Sequence, residues 1–200
     1  VQAETEFETP TWNQIYDALL SVAGEIRRSG FKPEVIVGIA KGGWVPARVL
    51  ADLLEVPRLA TVRIEFYVGV AHTMDKPVLK ESVSESVAGK KVLVVDDVID
   101  TGKSLALAKS HISEAGAWEV RTAAVYYKPW SESIPDYYDK ETRCWVVFPW
   151  ETRETIRKIA EEHQSREAVE REVTKLVKAG LPKHLAESFL NEVLGENDCC

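Results

Sequence analysis

The sequence is short of the features that mark membrane, disulfide-bonded and nucleic-acid-binding proteins. It has only three cysteines. Cys144 lies in an apolar stretch, while Cys199 and Cys200 stand together at the tail, a spacing that makes neither a disulfide framework nor a zinc site. A reducing, cytoplasmic compartment is expected. No apolar run approaches the roughly 18 residues needed to span a bilayer, and the opening VQAETEFETP lacks a basic segment followed by an apolar one. The chain therefore reads as soluble, with no membrane partner. The formal net charge is −7, whereas binding a phosphate backbone needs a clustered basic face, so nucleic acid is excluded as the main partner. A small anionic ligand remains open where basic residues are local. No internal repeat or low-complexity segment is present. What is there is 200 residues with 45% hydrophobic content, enough for one full α/β domain and a small appendage.

The chain is organised around Val92 to Ser104, VLVVDDVIDTGKS. It opens as a β-branched apolar run, the mark of a strand buried on both faces, and that strand is expected to stop at Asp96 and Asp97. Asp100, Thr101, Gly102, Lys103 and Ser104 follow, leading into helical spacing at Leu105, Ala108 and Ile112. A strand, a short polar turn and a helix N-terminus direct backbone N–H groups and hydroxyls at one point, where an anion is favoured. Carboxylates beside a phosphate cradle make sense if the ligand also carries hydroxyls or a divalent cation, as a sugar phosphate does. The competing P-loop pattern, GxxxxGK[ST], is half matched by TGKS, but Asp97 stands where its first glycine belongs.

Along the rest of the chain, Thr11 with Gln14 makes a capping box for a helix to Arg28, preceded by ten residues read as a loose arm. Val35 to Ala40 reads as a buried strand ending at Lys41, Gly42 and Gly43, where glycines permit close approach of a ligand. A helix from Trp44 or Pro46 to Leu54 and a strand from Leu59 to Phe66 come next. Residues 67–89 lack a sustained period and read as a flexible lid, compatible with a hairpin pairing 67–70 with 78–83; His72 there reads as solvated. Val120 to Tyr127 is a strand ending at Lys128, residues 130–142 are turn-rich, and Arg143 to Phe148 is a last strand. Ligands of open α/β sheets sit beyond the carboxyl ends of the strands, so Lys41, Asp96, Asp97 and Lys128 converge on one rim. Amphipathic helices follow over 152–162, 166–178 and 183–194.

DDVIDTGKS resembles the ribosyl-phosphate signature of the type I phosphoribosyltransferases, closest to the branch acting on 6-oxopurines. The resemblance spans residues 30 to 151 and takes in GIAKGGWVPARVL (38–50) and CWVVFPWE (144–151). It implies an α/β fold with a mostly parallel sheet flanked by helices, a phosphoribosyltransferase domain over 1–151 with the lid at 67–89 and a purine hood at 128–151, and a helical C-terminal extension over 152–200. The implied reaction joins a 6-oxopurine base to 5-phosphoribosyl diphosphate (PRPP) with Mg²⁺, in a protein expected to be a homodimer. By the same resemblance Asp100 is the general acid/base, Asp96 and Asp97 hold the ribose, and Thr101, Gly102, Lys103 and Ser104 grip the 5′-phosphate. Lys41, Gly42, Gly43 and Arg63 face the diphosphate, with Ala40–Lys41 the candidate cis peptide; Glu65 stands where a second basic residue is usual. Lys128 donates to the 6-oxo oxygen, Trp145 stacks on the base, Val146 meets its far edge, and Asp97 and Glu151 attend the metal, directly or through water. Two other classes stay open: a PRPP-sensing regulator of the same fold, and a phosphoribosyltransferase for another base.

Overall fold

The computed structural model describes residues 6–66 and 76–195. Contacts divide the chain into two compact units, residues 16–142 and residues 1–15 with 143–200.

The first unit holds a six-stranded sheet. Its strands are β2 (Val35–Ala40), β3 (Leu59–Phe66), β4 (Pro77–Glu81), β5 (Lys91–Ile99), β6 (Glu119–Tyr127) and β7 (Tyr137–Glu141), in the order β4-β3-β2-β5-β6-β7. All pairings are parallel except β3 with β4. Two helices connect these strands, α2 (Trp44–Leu53) and α3 (Lys103–Glu114).

Alternation along β2 settles the layers. Val35, Val37 and Ile39 join Val92, Val94, Leu105, Ala108 and Ile112 in one core, whereas Gly38 lies under Ala47 of α2, where a Cβ would come within 3.1 Å. The two helices thus cover opposite faces, as expected for a sheet buried on both sides. From β2 the chain steps outward to β3 and β4; from β5 it steps the other way to β6 and β7. The order reverses between β2 and β5, and the crevice beyond the carboxyl ends of such a pair is where open α/β sheets bind ligands.

The second unit contains β1 (Phe7–Glu8), β8 (Trp145–Val146), α4 (Thr152–Glu162), α5 (Arg166–Lys178) and α6 (Lys183–Val193). Its core gathers Val147, Ile156, Ile159, Val169, Val173, Leu176 and Leu190, with Phe7 packed against them. Ser165 caps α5 by accepting from the Ala168 N–H. The boundary between the units falls within the first turn of α1 (Trp12–Arg28), whose start carries the expected Thr11–Gln14 box: the Thr11 N–H donates to Gln14 Oε1 at 2.8 Å and the Gln14 N–H to Thr11 Oγ1 at 3.3 Å.

Several expectations need correction. The first ten residues are not all a loose arm, since Phe7 and Glu8 pair in parallel with Trp145 and Val146. Thr9 Oγ1 also donates to the Ala179 carbonyl at 2.8 Å. The contact boundary at Thr142/Arg143 differs from the expected one at 151, because residues 143–151 pair and pack with the N-terminal segment and the tail helices. Strand β5 does not stop at the two acids; it continues in register with β6 to Ile99. The turn-rich segment 130–142 contains β7, and the expected 143–148 strand shortens to two residues. Of the lid, residues 67–75 lie outside the described residues. Beyond them β4 pairs with Ile64 to Phe66 and, past a register shift, with Arg63. The tail helices fall where expected.

Candidate functional site

Strands β2, β5 and β6 end side by side, and their loops build the site in the sheet unit. After β5 the chain turns through Asp100 and Thr101 into Gly102, which adopts φ 83°, a left-handed conformation that glycine enters freely. Gly102 is the N-cap of α3 and offers no side-chain cap, so the first-turn N–H groups point out of the helix at the loop. The Thr101 hydroxyl lies 3.4 Å from the Lys103 N–H. Thr101, Lys103 and Ser104 are all partly exposed. They are the residues for which the sequence suggests a phosphate-gripping role.

On the β2 side, the Ala40–Lys41 peptide is cis, as the resemblance implies, and Lys41 is exposed. The two glycines are required sterically. A Cβ on Gly42 would stand 2.6 Å from the Asp97 carboxyl carbon, and one on Gly43 would strike the Val95 carbonyl and the Ile39 backbone. The Lys41–Gly43 loop is therefore in direct contact with Asp97 of β5.

Asp97 is only 7% exposed, and its Oδ1 accepts from the Val98 N–H at 2.7 Å. Asp96, half-buried, accepts from the Asp97 N–H at 3.0 Å. Burial, and next the neighbouring Asp97, push the Asp96 carboxyl well above its ordinary range, against the opposing pull of the Asp97 N–H. Two acids held this close fit a partner that brings hydroxyls or positive charge. Among the described residues, no three His, Cys, Asp or Glu side chains gather to hold a metal alone.

Arg63, expected to face the diphosphate, is engaged by two acids. Its guanidinium is bracketed by Glu65 at 2.6 Å and Glu81 at 3.1 Å, and both hydrogen bonds favour its charged form. The strand pairing that sets Arg63 opposite Glu81 creates this clamp.

At the end of β6, Lys128 is buried, 6% exposed, and its backbone N–H donates to the Ile99 carbonyl at 2.8 Å. This bond lays Lys128 beside Asp100. The segment after it folds back over the cradle: the Glu132 N–H donates to the Thr101 carbonyl at 3.0 Å, and a Cβ on Gly102 would meet the Ser133 nitrogen at 2.6 Å. Trp130 in this turn donates from Nε1 to Asp100 Oδ1 at 2.8 Å, and the Lys128 ammonium lies 5.6 Å from the centre of its ring. Sequence reading passed over Trp130; the signal was a large aromatic directly after Lys128 and Pro129 in a polar turn.

Trp145, Val146 and Glu151 belong to the other unit. Trp145 is 58% exposed and Val146 is buried. Glu151 Oε1 accepts from the Phe148 N–H at 3.2 Å at the start of α4.

The N-terminus of α3, the buried Asp97 beside the half-buried Asp96, and a cis-peptide glycine loop meet at one sheet crevice, an arrangement suited to a phosphorylated sugar. The model of the phosphoribosyl transferase domain matches residues 11–157, and the chain belongs to that family of enzymes. Its relatives point to the 6-oxopurine branch. The xanthine-guanine phosphoribosyltransferase of Nitratidesulfovibrio vulgaris (strain DP4) is 30% identical over 144 residues, 71% of this chain and 83% of that protein. That of Gluconobacter oxydans (strain 621H) is 29% identical over 150 residues, 73% of this chain and 85% of the other. The solved purine phosphoribosyltransferase of Pyrococcus horikoshii Ot3 superposes with a TM-score of 0.65 at 36% identity, covering 72% of this chain and 93% of that one. Among the described residues, no helix is long and apolar enough to cross a membrane.

Proposed function

We propose that this enzyme transfers the 5-phosphoribosyl group of PRPP to a ring nitrogen of guanine, hypoxanthine or xanthine. The C1′–oxygen bond to diphosphate breaks, the C1′–nitrogen bond forms, and the ring proton is lost, giving the nucleoside monophosphate. The observation that carries this reading is the buried Lys128 at the end of β6, whose backbone N–H bonds the Ile99 carbonyl, next in sequence to Asp100.

Thr101 to Ser104 grip the 5′-phosphate, anchoring the sugar so that binding energy far from C1′ aligns the reacting atoms. Asp96 and Asp97 accept from the ribose hydroxyls and would be the residues to hold a Mg²⁺, which would supply positive charge against the diphosphate. Lys41 and the amides of Gly42 and Gly43 meet the charge that grows on the leaving group. Lys128 donates to the 6-oxo oxygen; an adenine amino group would face it donor to donor. Asp100 exchanges a proton with ring nitrogen 7. For Trp145, Val146 and Glu151 the support is the resemblance of residues 144–151 alone. A cytoplasmic salvage role and a dimeric state belong to the same proposal.

The test is diphosphate release from PRPP and Mg²⁺ with guanine, hypoxanthine, xanthine, adenine, orotate and uracil supplied one at a time. Turnover of one or more 6-oxopurines is the expected result. Turnover of orotate, uracil or adenine alone, or of no base, refutes the assignment.

A further inference from the structure

Lys128 to Ser131 forms a tight turn closed by the Ser131 N–H donating to the Lys128 carbonyl at 3.0 Å. Pro129 fills its second position, where a fixed φ is favoured, and Trp130 its third. The following residue, Glu132, bonds the Thr101 backbone, and Ser131 Oγ donates to the Ser133 carbonyl at 2.8 Å. Trp130 is therefore anchored on both sides although its side chain is 51% exposed. Asp100 is exposed, and an exposed aspartate explores several rotamers unless something selects one. The indole N–H supplies that selection by taking Oδ1.

We propose that Trp130 is a positioning residue for Asp100. The indole holds one carboxylate oxygen, so the other is presented to the purine, and the ring spans the gap from Asp100 to the Lys128 ammonium. The proton-transfer group and the 6-oxo donor are thereby set at a fixed separation. The role assigned to Trp130 is exerted through Asp100, not through contact with PRPP or the reacting atoms. The inference rests on the reading above, in which Asp100 exchanges a proton with the base.

Trp130→Phe keeps an aromatic ring in the turn and removes the indole N–H donor. Steady-state diphosphate release with the best 6-oxopurine should show kcat reduced about 10- to 100-fold, the loss of one hydrogen bond to a charged group. KM for PRPP should stay within about two-fold, because the cradle is untouched. In an Asp100→Ala background the same change should alter kcat by less than about two-fold, since the acceptor is gone. Trp130→Gln, which retains an N–H donor, should keep more activity than Trp130→Phe. Unchanged kcat in Trp130→Phe, equal losses in both backgrounds, or Trp130→Gln falling below Trp130→Phe would overturn the inference while leaving the proposed reaction intact. A wild-type enzyme inactive on every base would overturn the reaction and this inference together.

Discussion

Gly42 rests against Asp97 so closely that a single added methyl would press on the carboxyl group. The Lys41–Gly43 loop after β2 and Asp97 within β5 are thus locked in one close contact. Gly42→Ala must move either the loop or the carboxylate. Overpacking of this kind costs roughly 1–3 kcal/mol of stability, whereas misplacing reacting groups by an ångström costs about 100-fold in rate. Chemical denaturation beside kcat/KM for PRPP should show a modest stability loss with a disproportionate loss of activity. Full activity would mean that the close contact is not used.

The raised Asp96 carboxyl carries a stability cost whose sign can be worked out. In the native state Asp96 keeps its proton above the ordinary carboxylate value of about 4, so between that value and its raised one the native state binds more protons than the unfolded chain. Stability attributable to this group then falls as pH rises through that window, and the full penalty stands above it. Asp96→Asn retains an oxygen for the Asp97 N–H and removes the charge. Thermal melts of the ligand-free protein should show the variant gaining on wild type as pH increases, by about 2–4 °C for each kcal/mol relieved. A melting difference independent of pH would contradict the assigned cause.

Arg63 sits between Glu65 and Glu81 instead of pointing free. Exposed pairs of this kind hold an arginine only weakly, by about 0.2–1 kcal/mol. If Arg63 turns to the diphosphate during turnover, it must first leave Glu81. Glu81→Gln should then lower KM for PRPP by about two- to five-fold, and Arg63→Ala should cancel the gain. An unaltered KM in Glu81→Gln would leave Arg63 as a fastening between β3 and β4.

Much of this arrangement was legible before any coordinates. Strands β2, β5 and β6 are apolar runs bounded by glycine or charge, and their burial on both faces is what makes such runs readable. The Thr11–Gln14 box, the turn into α3 and the tail helices were signalled by local spacing. What escaped depends on contacts made far along the chain. Strand β7 reads YYDKE because it is an edge strand whose buried member is Tyr137, leaving no alternation to detect. Strand β1 has two residues and exists only through its pairing with Trp145 and Val146. The capture of Arg63 needs Glu81, eighteen positions away, to be brought opposite by the hairpin. The Trp130 bond to Asp100 needs β5 and β6 to end side by side.

The most direct test of the central claim is the ratio of kcat/KM for hypoxanthine to that for adenine, measured in wild type and in Lys128→Met. A site built to donate to the 6-oxo oxygen should favour hypoxanthine by about 10³-fold or more in wild type. That ratio should collapse by at least about 10-fold in Lys128→Met, while KM for PRPP changes little. A wild-type ratio near one, or a ratio unaffected by losing Lys128, would contradict the assignment of Lys128 and with it the 6-oxopurine reading.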